Sequence, residues 1–240
     1  CMIINFTPQK TWLFIKSLLF ILGTTVLAML AQTMILYSKS YILIVFLTGL
    51  AVSIPIGVPL YQYVKSTKLN QLQVKPIIKQ LGITFGMLLV LYISLMAYFG
   101  IRNGLHIGSP QVNANQQTIQ QLTKHIAPWR IYIMSCVLAP ISEEFVFRYT
   151  FLHKRIESIN LPRQLFKSKT YWVLLVTQAI LFGLAHMSMS SWIVVLNTIT
   201  PYLLIGLTCG LTYTITKNLT YSVLLHSIYN AIALFILFSH

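Results

Sequence analysis

The chain has 240 residues, 56% of them hydrophobic and only 8% charged, against roughly a quarter charged in soluble domains, so water is not its main solvent. Its 17 Lys and Arg outnumber three acids, a formal net charge of +14, but the basic residues lie between apolar runs rather than along one stripe. That placement suits anionic lipid headgroups and argues against a nucleic-acid partner. Three cysteines are too few for a disulfide framework; Cys136 and Cys209, inside apolar segments, are expected to be buried thiols.

A spanning helix needs about 20 predominantly apolar residues. In chain order, the stretches that qualify are Ser17 to Tyr37, Tyr41 to Val64 with Pro55 and Pro59 kinking it, and Gln80 to Ile101. Ile131 to Leu152 is apolar enough to span but carries Glu143, Glu144 and Arg148. From Thr170 to Thr216 there is no charged residue until Lys217, too long a run for one span. Its break is expected at Met187 to Ser191, giving helices near Tyr171 to Met187 and Trp192 to Thr214. Tyr221 to Phe238 is the last. The expected fold is all-α, a polytopic transmembrane bundle of about seven helices. No short apolar stretch near the N-terminus is followed by a small-residue cleavage site, so no cleaved signal peptide is expected.

Lys and Arg are retained on the cytoplasmic side of a membrane. Alternate connections differ sharply: Lys10, Lys16, Lys65, Lys68, Lys75, Lys79, Lys154, Arg155, Arg163, Lys167, Lys169 and Lys217 fall on one side, against Lys39, Arg102, Lys124 and Arg130 on the other. The N-terminus is therefore expected in the cytoplasm and the C-terminus outside. The polar segment Arg102 to Pro128 is read as an external loop, and His153 to Thr170 as a basic cytoplasmic connection that includes an interfacial helix. Tyr37, Tyr61, Tyr171 and Tyr221 at helix ends are read as interfacial anchors.

Glu143, Glu144 and Glu157 are the only acids, and two of them sit side by side in an apolar stretch. An ionised group near the bilayer centre costs roughly 2.5–3.5 kcal/mol, so Glu143, Glu144 and Arg148 must face the bundle interior. Glu144 and Arg148, four apart, meet on one helix face, while Glu143 is turned about 100° away without a built-in counter-ion. A carboxylate so placed is a candidate general base. His186 and His226 lie in other spans, with Asn230 one turn beyond His226 on the same face. His106, His125, His153 and His240 fall in connections or at the terminus and are read as solvated or interfacial. The six intramembrane polar residues are expected to share one cavity.

The residues Glu143-Glu144-Phe145-Val146-Phe147-Arg148 form an EExxxR motif, Phe182 to His186 an FxxxH motif and His226 to Asn230 an HxxxN motif. In this order, on separate apolar segments, they resemble the CPBP family, the CAAX-protease and bacteriocin-processing membrane enzymes also called Abi. The resemblance runs from about Ile131 to Asn230. It implies an N-terminal part, residues 1–128, of transmembrane helices and external loop, and a catalytic helix bundle over 129–240. It also implies that Glu143 and His186 hold and deprotonate the attacking water, that His226 and Asn230 stabilise the oxyanion, that Glu144 and Arg148 brace the site, and that Phe182 supports His186.

The expected function is a glutamate-dependent intramembrane endopeptidase acting on a membrane peptide or protein: a CAAX-type protein, a pheromone or a bacteriocin precursor. A non-catalytic bacteriocin-immunity or membrane binding protein of the same fold is the alternative. A proton-coupled transporter would more often show paired repeats with broken helices. The family is often described as metalloproteases, and Glu143, Glu144, His186 and His226 are ligand types that suit zinc. The preferred mechanism requires no metal, because a glutamate and a histidine can activate water alone. The expected location is a bacterial cell membrane, crossed several times. Substrate-binding residues are not marked in the sequence.

Overall fold

Backbone groups in lipid have no water to bind, so each apolar run must satisfy its own hydrogen bonds by coiling. The computed structural model describes residues 8–40, 74–105, 119–157, 162–187 and 192–239, with 43–44, 47–49 and 57 besides. It is built of helices: α1 (Pro8–Tyr37) and α2 (Val74–Gly104), then a long bent rod, then α6 to α9. The rod consists of α3 (Pro128–Ile133), a π turn (Met134–Leu138), α4 (Ala139–Glu144), a second π turn (Phe145–Tyr149) and α5 (Thr150–Glu157). After it come α6 (Pro162–Phe166), α7 (Lys169–Ala185), α8 (Trp192–Thr216) and α9 (Leu219–Phe238). Among the described residues, Ile77–Gly104, Thr198–Thr216 and Leu219–Phe238 are long and apolar enough to cross a membrane, and Gly23–Tyr37 and Lys169–Ala185 are shorter apolar helices. The span expected over 41–64 lies mostly outside the described residues.

The burial pattern inverts that of a soluble protein. On α2, Phe85, Leu89, Ile93 and Met96 are exposed while Thr84 is fully buried beside Leu88, Leu91 and Leu95. On α7, Val173, Val176, Ile180 and Leu184 face outward and Gln178 is fully buried. Lipid is the solvent such faces require. Three buried hydroxyls of α8 are satisfied within their own helix: Thr208, Thr212 and Thr216 each donate to the carbonyl four residues back, at 2.7–2.8 Å.

α7 and α8 form the closest pair. A methyl group at Gly206 would lie 2.9 Å from Ala179 Cα, so the two backbones touch, the close approach that small residues permit where helices meet in lipid. Gln178 crosses this seam, its Nε2 donating to Leu175 O at 2.9 Å and Gly206 O at 3.0 Å. Tyr171 OH donates to Thr214 Oγ1 at 3.0 Å. Of the tyrosines read as interfacial anchors, Tyr171 and Tyr221 are buried in the bundle and Tyr37 is exposed, while Tyr61 lies outside the described residues. The segment read as a basic connection is largely helical. His153 lies in α5, not in solvent: its Nδ1 is 2.8 Å from Tyr213 OH and its ring stacks on Tyr149 at 4.2 Å. Cys209 is buried as expected, and Cys136 is partly so. Arg130 ties α3 to the end of α1, its Nη1 donating to the carbonyls of Ile35, Leu36 and Ser38 at 3.2, 3.3 and 2.9 Å. The guanidinium thereby complements the negative end of the α1 dipole.

Candidate active site

The two glutamates end α4 and point into different surroundings. Glu144 and Arg148 are both fully buried, with Arg148 Nε 3.1 Å from Glu144 Oε2, the pairing that the i, i+4 spacing predicts. Arg148 also lies 4.3 Å from the Phe182 ring centre and 6.0 Å from that of Phe147, so its remaining positive edge meets aromatic faces. Two further groups hold Glu144. Ser222, one turn before His226 on α9, gives it a short hydrogen bond, and His226 Nδ1 lies 2.9 Å from Oε1. A carboxylate paired with a guanidinium is an acceptor, so His226 donates from Nδ1 and its Nε2 faces the other way.

That other way is toward Glu143. Its Oε2 is 3.6 Å from His186 Nε2 and 3.8 Å from His226 Nε2, and its side chain is 23% exposed against 0% for Glu144. His186 is the first residue after α7, where the backbone leaves helical geometry (φ −98°, ψ 5°). Its Nδ1 is 2.8 Å from the carbonyl of Phe182. A carbonyl only accepts, which puts the proton on Nδ1 and leaves Nε2 with its lone pair toward Glu143. The Phe182 ring is 4.4 Å away, as FxxxH predicts, and Tyr202 of α8 stacks on the same imidazole at 4.8 Å and 22°.

Asn230 is held by the first π turn. Ala139 N–H bonds back to Met134 O, the i→i+5 pattern, and Pro140, next in line for the carbonyl of Ser135, has no N–H. That carbonyl therefore has no donor within its own rod, and Asn230 Nδ2 supplies one at 2.7 Å from across the bundle. One of the two Asn230 amide protons is thereby engaged, and the other remains for a further acceptor. The apolar stretch Ile131 to Leu152 is helical throughout, with two π turns that the sequence reading did not foresee.

The structure thus brings Glu143, His186 and His226 together, joins Glu144 and Arg148 to the same cluster through His226, and ties Asn230 of α9, one turn beyond His226, to the Ser135 carbonyl of the rod. Ser222 and Tyr202 escaped the sequence reading. Ser222 had a signal in its four-residue spacing from His226; Tyr202, on a different helix from every motif, had none.

Two sets of ligand-type atoms bear on a metal. Glu144, Cys209 and His226 come within 4.8 Å of one another, but the Arg148 guanidinium already supplies the positive charge at that carboxylate, with Ser222 and His226 on its remaining lone pairs, so this set does not fit a cation. Glu143 Oε2 with the two Nε2 atoms is chemically a zinc-type donor set, and both imidazoles have the Nδ1–H partner that metal-bound histidines usually have.

Residues 125–232 match the family model described as type II CAAX prenyl endopeptidase Rce1-like. No curated protein and no solved structure matches the chain significantly. The matched segment contains the whole cluster, from Glu143 on the bent rod to Asn230 on α9. Over these residues, just under half of the chain, the protein is similar to that endopeptidase family, which supports the resemblance to CPBP-type membrane proteases carried by the three motifs.

Proposed function

We propose that the chain hydrolyses a peptide bond of a membrane-associated peptide or protein by direct attack of water held between Glu143 and His186. The convergence of Glu143 Oε2 and two imidazole Nε2 atoms within 3.6 and 3.8 Å, with both Nδ1 atoms engaged elsewhere, carries this reading. A water there finds two acceptors for its two protons, which turns its lone pair toward a carbonyl carbon. As the C–O bond forms, Glu143 takes a proton and the carbonyl becomes an oxyanion. His226 faces that charge from its Nε2 side while its Nδ1–H stays on Glu144, and the second Asn230 proton supplies a donor. Glu143 then returns its proton to the departing amine as the C–N bond breaks. No acyl-enzyme forms.

Zinc, if bound, would be held by Glu143, His186 and His226 and would acidify a bound water. The same three side chains suffice for the steps above. The substrate class proposed is a prenylated CAAX-type protein, with a peptide pheromone or bacteriocin precursor as its nearest chemical relatives. The protein is placed in a bacterial cell membrane with its N-terminus in the cytoplasm and basic connections on anionic headgroups. The twelve-to-four division of basic residues supports this orientation. Labelling of a C-terminal cysteine by an impermeant reagent in intact cells supports it, and labelling only after lysis reverses it.

The test of function is mass spectrometry of a farnesylated CAAX peptide incubated with the pure protein in H₂¹⁸O. Release of the terminal residues, with one ¹⁸O in the new carboxylate and no release by Glu143→Gln, supports the reading. Binding without cleavage supports a non-catalytic binding protein instead.

A further inference from the structure

We infer that Tyr202 is a positioning residue for His186, fixing the plane of its imidazole so that Nε2 addresses Glu143. This rests on the reading of His186 as a partner in water activation. His186 stands outside α7, so helical backbone geometry does not set its side chain. The hydrogen bond of its ring to the described residues, from Nδ1 to Phe182 O at 2.8 Å, leaves the ring free to swing about that line. A swing of the ring carries Nε2, on its far side, out of line with Glu143. Two flat contacts remove this freedom. Phe182 belongs to the same helix and to the FxxxH motif, and its ring is inclined at 44° to the imidazole. Tyr202 comes from α8 and lies nearer to parallel, at 22° and 4.8 Å. It follows directly after Pro201, which removes a hydrogen bond from that turn of α8. The seam that holds α8 against α7 lies close by, at Gly206 and Ala179. Tyr202 therefore transmits the register of the α7–α8 pair to the reactive nitrogen. A misplacement of about 1 Å in a reacting group can cost about 100-fold in rate.

The role asks for a flat ring rather than a hydroxyl or mere bulk, and the test separates these. Tyr202→Phe, Tyr202→Leu, His186→Ala and the His186→Ala/Tyr202→Leu pair are compared as full-length protein in detergent micelles. The ring-proton shifts of His186, assigned by their loss in His186→Ala, read stacking without any substrate. They should stay in place in Tyr202→Phe and move downfield in Tyr202→Leu as the ring current is lost. On a fluorescence-quenched farnesylated CAAX peptide, Tyr202→Leu should lower kcat about 10–100-fold with KM within about threefold, and Tyr202→Phe should stay near wild type. The double variant should be no slower than His186→Ala alone. Unmoved His186 signals, or wild-type kcat, in Tyr202→Leu overturns the inference. Equal damage in Tyr202→Phe overturns it in favour of the hydroxyl. Wild-type kcat in His186→Ala overturns the underlying reading of His186, a result distinct from either.

Discussion

Two layers of polar groups meet at the end of α4, one sealed and one reactive, and adjacent residues belong to each. In the sealed layer Glu144 is fully buried and every partner it has is fixed: Arg148, Ser222 and the Nδ1 of His226. In the reactive layer Glu143 is partly exposed, and its nearest polar neighbours stand at 3.6 and 3.8 Å, beyond hydrogen-bond length. The same chemical group has its lone pairs occupied in the first layer and open in the second, which is the difference the proposed mechanism uses. His226 joins the layers, with one nitrogen in each.

The contrast breaks most directly at Glu143. Glu143→Gln should lower turnover by about 10²–10⁴-fold or more, because the amide cannot accept a proton from water. Its melting temperature should stay at the wild-type value, since Glu143 makes no hydrogen bond to another helix among the described residues. A variant that cleaves at near wild-type rate would assign the base elsewhere. Glu144→Gln should do the reverse in kind: it strands Arg148 as a buried cation, a loss of roughly 3–5 kcal/mol visible as a lower melting temperature and yield. Replacing Glu144 and Arg148 together by apolar residues should recover stability beyond either single change, and failure to do so would mean the pair is not one unit. Ser222→Ala removes a hydroxyl shared between Glu144 and the Cys209 carbonyl; a hydrogen bond to a charged group is worth about 1.5–3 kcal/mol, and stability should fall by about that much in denaturant titration. The smallest effect is expected from metal removal. Dialysis against a zinc chelator should leave activity unchanged, and activity that is lost and then restored by one zinc per chain would place a cation in the reactive layer.

Much of this division was legible in the sequence, because scarcity of acids and helical spacing are local facts. Three acids in 240 residues mark Glu143 and Glu144, and the four-residue step to Arg148 fixes which of them is paired. FxxxH likewise places Phe182 under His186. Contacts between helices were less legible. Tyr171 and Tyr221 have the composition of interfacial anchors but are buried by neighbours that no local pattern specifies, and His153 finds Tyr213 sixty residues away. The π turns also escaped. Pro140 went unremarked, and whether a proline bends a helix, frees a carbonyl or does both depends on what stands opposite it.

What stands opposite is Asn230, and this limits what the HxxxN motif can diagnose. Because Pro140 cannot donate, the carbonyl of Ser135 demands a donor at position 230 whatever chemistry takes place nearby. An apolar residue there would leave a buried acceptor unbonded, at about 1–3 kcal/mol. A relative that had lost its reaction but kept its bent rod would therefore be under pressure to keep the asparagine. Pro140 and Asn230 together mark the shape of the bundle, and under the proposed mechanism Glu143 is the position whose loss would distinguish a binding-only member from a protease.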